Sequence, residues 1–232
     1  MLRRIRLLVF DLDYLVFDCA ALRERSLRQS LIPFAEQIPQ DMRLPDAVDI
    51  EEGYRVLGSR WVHSLDLGLG TESLQTLEES FRVHERRLVE GGGGHVFPGM
   101  REILAAARQE RLTISLGAES SREYLMSVCD RHNLDEFFDM AFCAEEFGSG
   151  STDEMLEEIM NHAEVHPSET LILGTRPSCF DAGRNLDVQS VGCGWGIRSR
   201  ETLGCADFQA LAVGQLYPLI QQADALSARD PN

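Results

Sequence analysis

Apolar residues along this chain fall into two recurring patterns. Short unbroken runs occur at Leu7–Phe10, Leu112–Leu116, Met140–Cys143, Thr170–Leu173 and Val188–Cys193. Runs of this length that do not alternate with polar residues suit strands buried on both faces. Between the runs, apolar residues recur at helical spacing. In "FPGMREILAAARQE", Pro98 stands near a helix start and Met100, Ile103, Leu104 and Ala107 share one face. "SSREYLMSVCDRH" repeats the pattern with Tyr124, Leu125, Val128 and Cys129. The alternation predicts an α/β chain with a parallel, doubly wound sheet.

One long region breaks the alternation. Between the first strand and Phe97 no convincing strand occurs, and Leu74, Leu77, Phe81 and Leu88 form a helical stripe that reads as packing. Gly91–Gly94 closes the region. A glycine-rich loop can cradle phosphate, but this one follows a helix, so it reads as a hinge or linker. The chain is therefore an α/β core carrying one helical insertion, without an internal repeat.

Composition narrows the functions open to such a fold. Its 232 residues suit one large domain or a core with an insertion, and 44% apolar residues suffice for a packed interior. A net charge of −16 disfavours nucleic acid and anionic membrane surfaces, which its field repels. Six cysteines (19, 129, 143, 179, 193, 205) form no CxxC and no paired spacing, as thiols of a reducing cytoplasm do. "MLRRIRLLVF" has too short an apolar run for a signal peptide, and no segment approaches the ~20 apolar residues that span a bilayer. Lysine is absent: all 22 basic residues are arginine.

Candidate chemistry begins in "VFDLDYLVFD" (9–18), where Asp11 and Asp13 close the first strand. Carboxylates at the C-terminal edge of a parallel strand lie where open α/β sheets bind ligands. Other constellations are weaker. His162 and His166 share a helical face behind Glu158, a spacing metals use, but a helix-end pair beside Pro167 also suits solvent. Cys179 has no histidine placed near it by the sequence and reads as a small buried thiol.

The first motif resembles that of the haloacid dehalogenase superfamily, an apolar strand followed by D-x-D-x-T/V. "FPGMREILAAARQERLTISLGAESSREYL" resembles that family's second strand and helix. "LILGTRPSCFDAGRNLDVQSVGCGWGIRSRETL" resembles the last third of phosphoglycolate phosphatase-like members. The resemblance implies a Rossmann-like core of residues 1–17 and 93–232, with a helical cap at 18–92. It also implies a chemistry: Asp11 attacks phosphorus, Asp13 protonates the leaving group and then activates water, and Mg²⁺ sits on the first Asp and on acids of a fourth motif. Such chemistry leans on cations and aimed donors, because a carboxylate attacking a phosphate dianion faces repulsion.

Several expected parts are missing. Leu15 stands at the first motif's Thr. The second-strand hydroxyl falls on Leu116 or Gly117, and Ser115 is the nearest hydroxyl, turned away from the face of Leu116 by strand alternation. Ser151 replaces the third motif's Lys in "GSGSTDEM" and with Glu154 reads as a capping box. Thr175 and Cys179 replace the fourth motif's two acids, and Asp181 lies about 200° around the helix from Cys179. Glu145 and Glu146, after the third strand, are the only spare carboxylates expected to face the cleft.

Asp11 and Asp13 are thus the candidate catalytic residues. Ser115, Gly117 and Arg176 are candidates for binding substrate, Arg176 by lending positive charge to an anion site. Mg²⁺ at Asp11 and Asp13 is expected to be weak or absent. With no other cation identified, the two carboxylates repel each other and any phosphate. Two functions stay open: a binding or regulatory protein that has lost catalysis, its ligand a small phosphorylated molecule or a protein, and a working phosphomonoesterase with an atypical metal site that uses Glu145 or Glu146. The missing lysine sets aside the family's Schiff-base phosphonate chemistry, and Asp13 sets aside its dehalogenating branch.

Overall fold

The computed structural model describes residues 5–147, 150–197 and 200–227. The chain enters as β1 (Leu7–Asp11), makes a two-residue strand β2 (Phe17–Asp18), and passes through three helices before β3 (His95–Val96). These helices are α1 (Ala20–Leu31), α2 (Ala47–Leu57) and α3 (Thr71–Glu90). Strands and helices then alternate as α4 (Met100–Gln109), β4 (Thr113–Ala118), α5 (Arg122–His132), β5 (Met140–Cys143) and α6 (Thr152–Ala163). They continue through β6 (Thr170–Gly174), α7 (Pro177–Asn185), β7 (Gln189–Cys193), β8 (Phe208–Ala210) and α8 (Leu216–Ser227).

Six strands form one parallel sheet in the order β5-β4-β1-β6-β7-β8. This is the α/β doubly wound fold that the apolar runs predict. The runs found five of the six strands of this sheet. They missed β8, whose three residues include one buried side chain and are too short to carry a pattern. The stretch before Phe97, expected to hold no strand, carries the two-residue strands β2 and β3, too short to leave a pattern. β1 lies inside the sheet with all five residues buried, which is why its sequence is apolar up to its last position.

Register gathers three strand ends at one edge. Asp11 pairs with Gly117 of β4, and Phe10 pairs with Leu173 of β6. The residues that follow β1, β4 and β6 therefore emerge side by side. After Asp13 the chain turns at once: Val16 and Phe17 N–H both donate to the Leu12 carbonyl, at 3.0 and 2.9 Å. Tyr14 takes φ 62° in this turn. Its carbonyl presses on Gly196, where an added Cβ would lie 1.9 Å from the oxygen, so that position accepts only glycine.

The helices between β2 and β3 pack on one another, α1 against both α2 and α3. Leu77 and Phe81 of the predicted stripe are buried, and Trp61 meets Phe81 edge-on at 5.3 Å. Phe17 pairs with Val96 and Asp18 with His95, antiparallel, so the two chain crossings that bound this helical stretch run side by side. All six cysteines are unpaired thiols. Among the described residues no helix is long and apolar enough to cross a membrane.

Candidate functional site

Asp11 ends β1, and its partner comes from the far end of the chain. Arg176 follows β6 as the residue preceding α7, with Pro177 at the first helical position. Its guanidinium grips Asp11 as a fork: Nε donates to Oδ2 at 2.8 Å and Nη2 to Oδ1 at 2.9 Å. The third nitrogen, Nη1, forms an ion pair with Glu119, the first residue after β4. Glu119 is itself oriented, its Oε1 accepting from Thr152 Oγ1 and Ser178 Oγ, each at 2.8 Å. Cys179 completes the cluster with its thiol 3.8 Å from Asp11 Oδ2. Arg176 is 1% exposed and Asp11 5%, whereas Glu119 keeps part of its side chain open to solvent.

Burial and pairing set the charges. Desolvation pushes the Asp11 carboxyl up to about 6, against the pull of Arg176. Burial also acts to raise Glu119, but Arg176 and the hydroxyls of Thr152 and Ser178 outweigh it and hold that carboxyl below its usual range. Burial drives the Cys179 thiol far up, so it stays protonated. At neutral pH the cluster holds two carboxylates and one guanidinium.

Asp13 sits in a second cluster of the same kind. Arg23 Nη2 donates to Oδ2 at 2.7 Å, Tyr54 OH to Oδ2 at 2.9 Å and Tyr124 OH to Oδ1 at 2.9 Å. Arg23 Nε donates in turn to Glu85 Oε1 at 2.8 Å. The guanidinium lies 3.4 Å from the Tyr54 ring centroid, with the rings of Tyr14 and Tyr124 at 5.3 and 5.8 Å. These contacts join α1, α2, α3 and α5 to the turn after β1. Burial raises the Glu85 carboxyl, with Arg23 opposing it.

The expectation of two carboxylates without a cation is corrected here. Each is gripped by its own buried arginine, and neither arginine has its charge free for a ligand. Arg176 does stand in the cluster, turned onto Asp11. Ser115 pairs with Val9 inside the sheet, fully buried, its hydroxyl without a partner. Gly117 lies beside Asp11, where a Cβ would come 3.0 Å from the Met155 side chain. β4 runs two residues past its predicted end, so its first flanking polar residues are Glu119 and Ser120.

Other candidates settle elsewhere. Ser151 caps α6, accepting from the Asp153 N–H at 3.1 Å, while Gly148 and Ser149 of the third motif lie outside the described residues. Glu145 accepts from the Arg122 N–H and pairs with Arg82; Glu146 accepts from the Cys143 N–H and pairs with Arg122. His166 caps a short turn through Ser168, and His162 packs edge-on against Phe142. Asp181 pairs with Arg184 on the surface. The sequence reading missed Glu119, Arg23, Glu85, Tyr54 and the polar role of Tyr124. The spare carboxylate beside Asp11 is thus Glu119 and not Glu145 or Glu146, and a signal existed for it as the first acid after a strand that neighbours β1.

The donor set does not fit Mg²⁺. That ion demands six oxygen ligands in near-octahedral geometry, with carboxylates to balance its charge. Both oxygens of Asp11 and both of Asp13 already accept from arginine or tyrosine. Thr175 offers a neutral hydroxyl and Cys179 a protonated thiol. Among the described residues no group of three or more His, Cys, Asp or Glu side chains could hold a metal ion.

Comparison with known proteins agrees with this architecture. The family described as haloacid dehalogenase-like hydrolase matches residues 8–193. A phosphoglycolate phosphatase of Vibrio vulnificus is 20% identical over 226 residues, covering 94% of this chain and 97% of that protein. A phosphorylated carbohydrates phosphatase of Thermotoga maritima is 21% identical over 214 residues, covering 90% and 93%. Among solved structures, a haloacid dehalogenase-like hydrolase from Streptococcus pneumoniae superposes with a TM-score of 0.80 at 13% identity, covering 94% of this chain and 99% of its own. A β-phosphoglucomutase from Clostridium difficile reaches 0.77 at 17% identity, covering 97% and 100%. At such identities the likeness of the structures speaks for the fold alone.

Proposed function

The chain belongs to the haloacid dehalogenase-like hydrolase family, and from that premise we propose that it has given up phosphate hydrolysis and acts as a binding or regulatory protein. One observation carries the reading: the buried fork of Arg176 on Asp11. A carboxylate attacks phosphorus through an oxygen presented to the cleft, and here Asp11 is buried with both oxygens turned onto a guanidinium. The positive charge that an incoming phosphate dianion needs is neutralised by Asp11 and Glu119 instead. Asp13, the residue the family uses as acid and base, is held by Arg23 and two tyrosines.

Magnitudes support the same reading. Phosphate monoester hydrolysis is among the slowest uncatalysed reactions, so catalysis needs most of its electrostatic apparatus. Loss of a single preorganised donor commonly costs about 10²–10³ in rate, and here the lysine, two acids and the free nucleophile are lost together. In this reading residues 18–92 are a cap over a core of 1–17 and 93–232. The ligand is a small phosphorylated molecule or a protein; the net charge of −16 argues against nucleic acid and anionic membranes. Mg²⁺ binds weakly at most, and the unpaired thiols suit the cytoplasm.

The full-length similarity to phosphoglycolate phosphatases favours a second reading, a phosphomonoesterase with Asp11 as nucleophile, Asp13 as acid and base and an atypical metal site. Phosphate release from p-nitrophenyl phosphate and from phosphoglycolate, with Mg²⁺ present, separates the two. Wild type is expected to match its Asp11→Asn variant at background. Robust wild-type turnover that disappears in Asp11→Asn would establish the second reading.

A further inference from the structure

We infer that Arg176 is a built-in replacement for a divalent cation, seated in a cradle formed by Asp11 and Glu119, and that removing its side chain converts the cradle into a divalent-cation site. The inference rests on the reading of Asp11 as non-catalytic and concerns a different set of acids from the fourth motif. Glu119 follows β4, whereas Thr175 and Cys179 follow β6.

Four observations carry it. The guanidinium bridges carboxylates from two adjacent strand ends, so its charge lies between them. Glu119 is held in place independently of Arg176: Thr152 and Ser178 fix Oε1, while Oε2 faces the cation. The Thr175 hydroxyl, one residue before Arg176, is fully buried with no hydrogen-bond partner. It is a polar group of a kind that a hydrated ion could engage.

Charge balance is the fourth. With Arg176 present the two carboxylates and one guanidinium sum to −1; without it they sum to −2. Two bare carboxylates side by side, one of them buried, favour uptake of protons or a cation. Loss of the long arginine side chain also opens space beside them, and Mg²⁺ characteristically keeps several of its waters. A fixed guanidinium supplies one positive charge where a divalent ion would supply two, and it does so without an ion in solution, so wild-type folding is indifferent to divalent cations.

The test uses the full chain, stripped with a chelator, as wild type and Arg176→Ala. Mn²⁺ binding is read by electron paramagnetic resonance, and thermal melts are run with and without Mg²⁺. Wild type is expected to show no saturable Mn²⁺ binding and an unchanged Tm. Arg176→Ala is expected to bind one Mn²⁺ and to gain roughly 5–10 °C in Tm at saturating Mg²⁺. Adding Glu119→Gln to Arg176→Ala should abolish both responses. Should Arg176→Ala be unfolded without metal, refolding on addition of Mn²⁺ supports the inference, and failure to refold counts against it.

A folded Arg176→Ala that binds no Mn²⁺ overturns the inference, as does saturable Mn²⁺ binding by wild type that Asp11→Asn removes. The proposed loss of catalysis fails separately, through phosphate release by wild type. A cation-silent Arg176→Ala beside an inactive wild type would sink this inference and leave that reading standing.

Discussion

Burial and pairing pull on Asp11 in opposite directions, and the balance has a measurable sign. The folded chain holds the Asp11 proton up to about 6, against about 4 when unfolded. Between these values the folded state binds more protons than the unfolded one. The stability this provides is fully present below about pH 4 and is lost as pH rises through about 6. The shift corresponds to about 3 kcal/mol. The stability of wild type minus that of Asp11→Asn should therefore fall by about 3 kcal/mol between pH 4 and pH 7, measured by urea unfolding. A gap that stays flat or widens with pH would contradict this account of the carboxyl.

Arg23 acts between elements. Its own helix α1 supplies the guanidinium, α3 supplies Glu85, α2 supplies Tyr54 and α5 supplies Tyr124, all converging on Asp13. Truncation would leave two buried carboxylates with no cation, a situation that typically costs 3–5 kcal/mol. Arg23→Ala should thus lower stability by about 3–5 kcal/mol in urea titrations. Arg23→Ala with Asp13→Asn should lose less than the sum of the two single changes, because the residues share one network. Additive losses, or a single loss under about 1 kcal/mol, would mean that the cluster holds these helices to the sheet far less than its geometry implies.

For the molecule as a working unit, the two clusters change how activity could be restored. The sequence suggests returning the missing parts: Thr175→Asp and Cys179→Asp for the metal, then Ser151→Lys for the phosphate. With Arg176 in place, new acids beside Asp11 gain a guanidinium as partner before they gain a metal. The double and triple variants should therefore stay at background in phosphate release, with or without Mg²⁺. Ser151→Lys should also cost about 1 kcal/mol by removing the α6 cap. Mg²⁺-dependent turnover is expected only after Arg176 is also replaced and Asp13 is freed from Arg23. Turnover by the triple variant with both arginines intact would refute this order.

Much of this was legible along the chain because it is local. A strand buried on both faces has to be written in apolar residues, so β1, β4, β5, β6 and β7 stand out. The same holds for Asp11 and Asp13 at the end of β1, for Thr175 and Cys179 where acids were expected, and for a chain in which arginine is the sole basic side chain besides histidine. What those carboxylates touch was not legible. Arg176 lies 165 residues from Asp11, Tyr124 lies 111 from Asp13, and Glu85 lies 62 from Arg23. A guanidinium at the end of a long side chain pairs with whatever carboxylate the fold brings within about 3 Å. That choice depends on β4 and β6 flanking β1 in register, and on three helices folding back over the strand ends. Sequence order carries neither, so the pairing was decided only when the sheet closed around β1.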